Sequence, residues 1–153
     1  MERKYATQME AARQGIVTPE LETVAKKVQM RVEELLPLVA QGKAVIPANR
    51  LHTCLDPEGV GSMLRTKINV NLGVSRDCKD YDVEMEKVRS AIHMGAEAIM
   101  DLSSHGNTQP FRRRLTAECP AMIGTVPVYD SVIHYQRVLN TLTAREFLDG
   151  IRL

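Results

Sequence analysis

Cysteine is scarce in this sequence. The chain has only three cysteines in 153 residues, at Cys54, Cys78 and Cys119, and no two of them form a C-x-x-C pair. An odd number of widely spaced cysteines predicts neither a disulfide framework nor a complete cysteine metal site. We therefore predict that the chain binds no metal with its own residues and that its thiols are reduced, as is typical of a cytoplasmic protein.

Long apolar runs and an excess of one charge are also missing. No stretch is long enough to span a membrane, and the first residues, MERKYATQMEAARQG, lack the apolar core of a signal peptide. The net charge of +1 gives no electrostatic reason to expect binding to nucleic acid or to an anionic membrane. The only dense basic run is Arg112-Arg113-Arg114, and its simplest interpretation is a solvated helix face.

The composition, with 44% hydrophobic and 25% charged residues, is ordinary for a globular domain. Residues 1–62 are dominated by helical patterns. A short helix is expected to end at Gly15, and Thr18 with Pro19 forms a typical helix start. We interpret residues 1–62 as an N-terminal flanking segment of helices and loops rather than a self-sufficient domain.

The rest of this segment contains a third helical pattern, in which Pro37 should kink or shorten the helix. Residues 43–49 predict a short strand that ends at a proline. The stretch from residue 49 to residue 61 has two glycines, a proline and few apolar residues, so we expect a loop there.

From residue 63 onward, strand and helix patterns alternate. Three apolar runs predict parallel strands at 67–72, 98–102 and 122–126, the last stopped by Pro127. Helices are expected after Asp80 or Asp82, at 108–117, and after a capping box formed by Thr143 and Glu146. The alternation predicts an α/β fold of successive βαβ units, which need roughly 30 residues each. Three parallel strands cannot close a barrel, so residues 63–153 are interpreted as the opening part of something larger.

Asn71, Met100 and Tyr129 lie near the ends of the three predicted strands, at equal intervals of 29 residues along the sequence. Parallel strands place their carboxyl ends along one rim, where α/β proteins build their sites. The spacing therefore predicts a small-molecule site to which all three side chains contribute, with Asn69 on the same strand face as support for Asn71.

Each of these residues also has an interpretation without a ligand. Asn71 is explained equally by a turn before Gly73. Methionine is usually core filler, although the thioether of Met100 could pack on a flat heterocycle. Tyr129 can stack and hydrogen-bond, or it can be an ordinary tyrosine on the rim.

Five blocks of sequence resemble one known family, the phosphomethylpyrimidine synthase (ThiC) family. They are TQMEAARQGIVTPELETVA (7–25), VIPAN (45–49), LRTKINVNLG (64–73), EAIMDLS (97–103) and IGTVPVYD (123–130). The blocks follow the order of the family and run through almost the whole chain. Because family proteins are much longer, the resemblance implies an N-terminal fragment, with residues 63–153 as the first three β/α units of a truncated (β/α)₈ TIM-type barrel.

The resemblance also implies an activity in thiamine biosynthesis. Family enzymes are radical S-adenosylmethionine lyases that convert 5-aminoimidazole ribonucleotide into hydroxymethylpyrimidine phosphate, with a [4Fe-4S] cluster and zinc. Through the matching blocks, Asn71, Met100 and Tyr129 correspond to substrate-binding residues of the family. The zinc histidines and the cysteine cluster motif would lie beyond Leu153, so we expect this chain to be inactive alone. The resemblance also implies a homodimer for the full-length form.

Three alternatives stay open at the level of sequence. The related enzyme 5-hydroxybenzimidazole synthase uses the same ribonucleotide in cobamide biosynthesis, and no residue of this stretch separates the two. The chain could instead be a ribonucleotide-binding module without chemistry. It could also be a truncation that needs its C-terminal half even to fold.

Overall fold

The computed structural model of this chain describes residues 4–152. It has seven α-helices and five short β-strands within that range. The helices are α1 (Gln8–Arg13), α2 (Pro19–Lys27), α3 (Val32–Ala40), α4 (Tyr81–His93), α5 (Gln109–Glu118), α6 (Pro127–Tyr135) and α7 (Ala144–Gly150). The strands are β1 (Ala44–Val45), β2 (Val60–Gly61), β3 (Asn69–Leu72), β4 (Ala98–Asp101) and β5 (Met122–Thr125). No helix in this range is long and apolar enough to cross a membrane.

The chain divides into two compact units. Unit 1 comprises the residues up to Lys67 together with Pro120–Met122, and unit 2 comprises Ile68–Cys119 and the residues from Ile123 onward. Unit 1 contains α1, α2, α3 and an antiparallel pair of the two shortest strands, β1 and β2. Unit 2 contains the remaining helices and, apart from one residue of β5, the three-stranded sheet.

The helices of unit 1 bury one apolar cluster. Thr18 caps α2 as expected, because its hydroxyl accepts a hydrogen bond of 3.1 Å from the Leu21 N–H. Helix α3 packs against α1 and α2 and continues through Pro37 to Ala40. The cluster is formed by buried side chains of these helices and the adjoining strand, namely Ala12, Leu21, Val24, Ala25, Leu35, Val39, Ala44 and Ile46.

The sheet of unit 2 has the strand order β3-β4-β5, which is the sequence order that we predicted. β3 and β4 are parallel, and α4 connects them and packs against β3. Met85 and Val88 of α4 are buried, as is Ile99 of β4. The helices therefore cover one face of the sheet, while Asn69 and Asn71 on the other face of β3 stay exposed.

The sequence prediction missed three elements, namely α6, β2 and a short 3₁₀-helix. Pro127 does not only stop a strand: it occupies the first turn of α6, where its missing N–H costs no hydrogen bond. Residues 60 and 61 were expected to lie in a loop, but they form β2 and pair with β1. The sequence did not reveal this strand because two residues are too few to show an alternating pattern. A short 3₁₀-helix at Leu139–Thr141 was also not predicted.

The mixed α/β class with a small parallel sheet is confirmed. The (β/α)₈ barrel stays a prediction, because the sheet in the described part of the chain has three strands and a barrel of this type needs about eight.

Candidate ligand site at the end of the parallel sheet

Asn71 and Met100 lie side by side on neighbouring strands. They are register partners in the parallel pair β3–β4, and hydrogen-bonded strands lie about 4.8 Å apart. Because side chains alternate along a strand, Asn69 and Asn71 share one face of β3, and buried Leu72 points to the other. Met100 alternates in the same way with buried Ile99. The exposed face of the sheet therefore carries Asn69, Asn71 and Met100 together.

The carboxamide of Asn71 has a defined orientation. Asn69 Nδ2 donates a hydrogen bond of 2.9 Å to Asn71 Oδ1, which is the supporting contact expected from the sequence. With its oxygen engaged, Asn71 presents its Nδ2, a donor of two hydrogen bonds, to a ligand. Asn71 lies inside β3, so the alternative interpretation as a turn residue before Gly73 does not hold.

Met100 extends over the neighbouring strand β5. A Cβ atom at Gly124 would lie 2.8 Å from both the sulfur and the methyl carbon of Met100. Real Cβ atoms do not approach other atoms so closely, so the thioether occupies space that only glycine leaves free. Sequence reasoning did not single out Gly124; its only signal is a glycine in the middle of a strand pattern, which often marks close packing.

Tyr129 lies on a different kind of element from the other two residues. It is in the first turn of α6, directly after β5, and its side chain is exposed. Its N–H donates to the Val126 carbonyl, so its position follows the start of the helix and not the end of a strand. The structure thus brings Asn71 and Met100 together and places Tyr129 at the beginning of the helix that follows the third strand.

The exit of β3 is held by a close backbone contact and a buried carboxylate. Gly73 has a φ of 136°, and a Cβ atom there would lie 2.5 Å from the Ser103 backbone nitrogen. Its N–H donates to Glu84 Oε2 at 2.8 Å, and Glu84 is fully buried at the start of α4. Glu84 Oε1 also accepts from Lys87 Nζ at 2.6 Å, and this hydrogen bond raises the pKa of Lys87. The backbone just beyond Asn71 is therefore fixed from two sides.

A chain of three charged side chains crosses the end of β4. Arg112 of α5 donates from Nε to Asp101 at 2.7 Å and from Nη1 to Asp130 at 2.8 Å. Both carboxylates are buried, and Asp101 also accepts from the Ser103 N–H at 2.9 Å. Burial lowers the pKa of Arg112, but the hydrogen bonds and charges of Asp130 and Asp101 raise it more, so the guanidinium stays charged. We call Asp101, Arg112 and Asp130 the charged triad.

The charged triad corrects one interpretation of the sequence. The run Arg112-Arg113-Arg114 is not a single solvated face, because Arg112 turns inward to two buried carboxylates and Arg114 pairs with Asp82 and Glu118. Of the three arginines, only Arg113 is exposed. No sequence spacing could have found the triad, because its members meet only when β4, α5 and α6 are placed in three dimensions.

An open cavity of about 380 Å³ lies beside the triad, between the start of α5 and the outer part of α6. Asp130 and Thr108 line it, together with Asn107, Ile133 and His134. Thr108 Oγ1 donates to Asp130 Oδ1 at 3.3 Å, so both groups are already engaged with each other. One member of the charged triad, Asp130, therefore contributes to the lining of the cavity, and Tyr129 does not.

The cysteines do not match a metal cluster. Cys54 is half-buried, Cys78 is exposed and Cys119 is buried. Within residues 4–152, no group of three or more His, Cys, Asp and Glu side chains could hold a metal ion. An iron–sulfur cluster of the radical type needs several thiolates converging on one point, and the donors described here do not supply them.

The fold and the geometry at the sheet end define an α/β protein with a candidate ligand site on its exposed sheet face. The chain belongs to the radical SAM ThiC family, whose model matches residues 7–153. It is 58% identical over 149 residues to a phosphomethylpyrimidine synthase of Alkaliphilus oremlandii, covering 97% of this chain and 34% of that protein. It is 59% identical over 144 residues to a phosphomethylpyrimidine synthase of Clostridium botulinum, covering 94% of this chain and 33% of that protein. The chain thus spans about a third of the length of the curated relatives it matches.

Proposed function

We propose that this chain is the ribonucleotide-binding part of a phosphomethylpyrimidine synthase and acts in thiamine biosynthesis. In this proposal the substrate is 5-aminoimidazole ribonucleotide and the product is hydroxymethylpyrimidine phosphate. The names of the relatives support this reaction over the 5-hydroxybenzimidazole alternative. The structural observation that carries the proposal is the register pair of Asn71 and Met100 on the exposed face of the parallel sheet.

The two side chains offer complementary contacts to a small heterocycle bearing a sugar phosphate. The free Nδ2 of Asn71 would donate to a ring nitrogen or a ribose oxygen of the ligand. The thioether of Met100 would pack against the flat ring. Tyr129 would contribute an exposed ring and hydroxyl from the start of α6.

The exposed sheet face also suggests the larger architecture. A three-stranded sheet with helices on one face and polar side chains on the other would be one segment of a (β/α)₈ barrel, with Asn71 and Met100 facing the interior. In that arrangement the remaining strands would come from parts of a longer protein that this sequence does not contain.

S-adenosylmethionine, an iron–sulfur cluster and zinc would be bound elsewhere in such a protein. Family membership implies the cluster and S-adenosylmethionine for a full-length enzyme, and radical generation would be their chemistry. The cysteines of this chain do not fit a cluster. The role proposed for its own residues is to bind and orient the ribonucleotide through Asn71 and Met100. We expect the chain alone to produce no deoxyadenosine from S-adenosylmethionine.

A chimera tests the proposal, in which residues 7–153 replace the matching part of the Alkaliphilus oremlandii enzyme. Asn71→Ala should weaken ribonucleotide binding by about 1–3 kcal/mol, because buried polar groups of the ligand lose a partner. Isothermal titration calorimetry with 5-aminoimidazole ribonucleotide measures the change in Kd. Asn140→Ala is the matched control, since Asn140 is exposed in the 3₁₀-helix.

Equal affinity of the Asn71→Ala variant and the unmodified chimera would refute the assignment of the site. Product analysis of the full-length protein that contains this chain separates the two enzymatic alternatives, because the pyrimidine phosphate and hydroxybenzimidazole differ in mass. Binding by the 153-residue chain together with a chimera that binds the ribonucleotide but forms no product would favour the interpretation as a binding module.

A further inference from the structure

We propose that Arg112 is a positioning residue, which holds Tyr129 of α6 in place relative to Met100 of β4 by bridging Asp101 and Asp130. The role of Met100 and Tyr129 toward a ligand rests on the proposed function, but the bridge itself does not. Asp101 directly follows Met100 in the chain, and Asp130 directly follows Tyr129. One guanidinium therefore connects the two backbone positions that carry these side chains.

The geometry suits arginine and no other cation. Nε contacts Asp101 at 2.7 Å and Nη1 contacts Asp130 at 2.8 Å, so two nitrogens of one rigid plane each serve a different element. A lysine has a single point charge on a flexible stem and cannot reproduce that fork. Arg112→Lys thus removes the bridge while it keeps the positive charge.

Helix α6 has no side-chain cap at its start, and the bridge connects it to β4 and α5. Its N-cap residue, Val126, makes no side-chain capping bond, and the helix packs chiefly against α7. Asp130 connects α6 to the start of α5 and to α5 itself, because it accepts hydrogen bonds from Thr108 and from Arg112. Thr108 precedes α5 at a position where threonine usually caps, but its hydroxyl serves Asp130 instead.

A role in stability alone explains the triad poorly. Asp101 is 0% exposed and Asp130 is 6% exposed, so two carboxylates lose their hydration around one guanidinium. Within residues 4–152, Arg112 Nη2 has no hydrogen-bond partner. Buried ionic groups of this kind contribute little net stability compared with apolar packing, and their best-attested use is to specify one geometry.

Arg114 provides a matched control on the same helix. It also joins two carboxylates, with Nη1 to Asp82 at 2.6 Å and Nε to Glu118 at 2.9 Å. Its partners are 85% and 45% exposed and lie outside β4 and α6. Arg114→Gln therefore removes an arginine with two ion pairs without touching the bridge.

The test is nuclear magnetic resonance of the 153-residue chain carrying ¹³C-methyl methionine and 3-fluorotyrosine. Arg112→Lys and Arg112→Gln should shift the signals of both Met100 and Tyr129 while the signal of Tyr5 in unit 1 stays in place. Arg114→Gln should leave the signals of Met100 and Tyr129 unchanged. In the chimera described above, Arg112→Lys should raise the Kd for 5-aminoimidazole ribonucleotide about tenfold, within the range seen for mutations at coupled positions.

Asp130→Asn keeps the inference testable if the arginine variants do not fold. It removes the ion pair between Arg112 and Asp130 and leaves the ion pair between Arg112 and Asp101 in place. We expect it to shift Tyr129 more than Met100. Unchanged Met100 and Tyr129 signals in the folded Arg112 variants, or an unchanged Tyr129 signal in Asp130→Asn, would overturn the inference. The ligand-free spectra test the bridge, and the Asn71→Ala titration tests the proposed function. The bridge can therefore be confirmed even if Asn71→Ala leaves ribonucleotide affinity unchanged.

Discussion

Unit 1 and unit 2 both bury a carboxylate that pairs with a lysine, but in unit 2 the buried carboxylates also accept hydrogen bonds from backbone N–H groups and from an arginine. In unit 1, Glu58 accepts from Lys27 Nζ at 2.9 Å and lies 3.7 Å from Lys67 Nζ. In unit 2, Glu84 accepts from the backbone N–H of Gly73, and Asp101 accepts from the backbone N–H of Ser103 and from Arg112. Lysines neutralise charge without fixing a direction, whereas backbone amides and an arginine fork fix the position of what they contact.

The difference shows which unit is built for positional accuracy. The buried core of unit 1 is an aliphatic cluster, and apolar packing of this type tolerates small rearrangements. In unit 2, directional hydrogen bonds to buried carboxylates converge on the backbone that follows Asn71 and Met100. That arrangement is what a site needs if its side chains are to be held for a ligand.

The largest expected effect comes from Gly73→Ala in unit 2. Gly73 combines a φ of 136° with a Cβ position only 2.5 Å from the Ser103 backbone nitrogen. We expect a loss of about 4 kcal/mol in the free energy of unfolding, since backbone strain and overpacking each cost about 1–3 kcal/mol. Urea denaturation followed by circular dichroism measures it.

Gly15→Ala in unit 1 is the matched comparison. Gly15 also has a positive φ, of 72°, but nothing lies within 4 Å of the position of its Cβ. Only the conformational strain remains, so the loss should be about 1 kcal/mol. Equal losses in the two variants would show that the close approach at Gly73 contributes nothing, and the contrast between the units would fail.

Local sequence signals predicted most helices and the three strands of the parallel sheet. Caps such as Thr18, Asp80 and Thr143 act within a few residues, so the sequence alone reveals them, and each makes the expected bond in the structure. Helix α6 was missed because its start, VPVY, is rich in β-branched and aromatic residues and follows a strand without a capping side chain.

The candidate site was predictable only in part, because only some of its features depend on residues that are close in the sequence. The alternation of Asn69 and Asn71 and their position near the strand end follow from a period of two, and the register with Met100 follows from the regular βαβ spacing. The contact of Met100 with Gly124 and the bridge from Arg112 to Asp101 and Asp130 depend on how separate elements pack. No local pattern encodes such contacts, so the structure was needed to find them.

A smaller effect is expected for the lysine of unit 1. Burial lowers the pKa of Lys27, but hydrogen bonds with Asp56 and Glu58 raise it more, so its pKa lies above the ordinary 10.5. Because the folded state binds this proton more tightly, the stabilisation is fully present below the unfolded pKa and is lost as the pH rises through the folded pKa. Lys27→Met should cost about 1 kcal/mol at pH 7.

The pH dependence distinguishes this charge effect from packing. The difference in unfolding free energy between the unmodified chain and Lys27→Met should shrink above a pH of about 10.5. Urea titrations at neutral and alkaline pH measure it, with Lys26→Met as the neighbouring control. A difference that stays constant into the alkaline range would mean that the aliphatic stem of Lys27, and not its charge, stabilises unit 1.

The smallest effect on stability, and the most local one, is expected for Gly124→Ala in unit 2. The added methyl group would meet the sulfur and terminal carbon of Met100 at 2.8 Å, and these are the far end of a flexible side chain. Met100 can rotate away, so the unfolding free energy should fall by less than about 1 kcal/mol. The ¹³C-methyl signal of Met100 should shift clearly, while those of Met9 and Met63 in unit 1 stay in place. Because the thioether would no longer lie over β5, the chimera should also bind 5-aminoimidazole ribonucleotide more weakly. A Met100 signal that does not move would show that the thioether is not held against Gly124, and the argument that unit 2 fixes its site side chains would lose its most direct support.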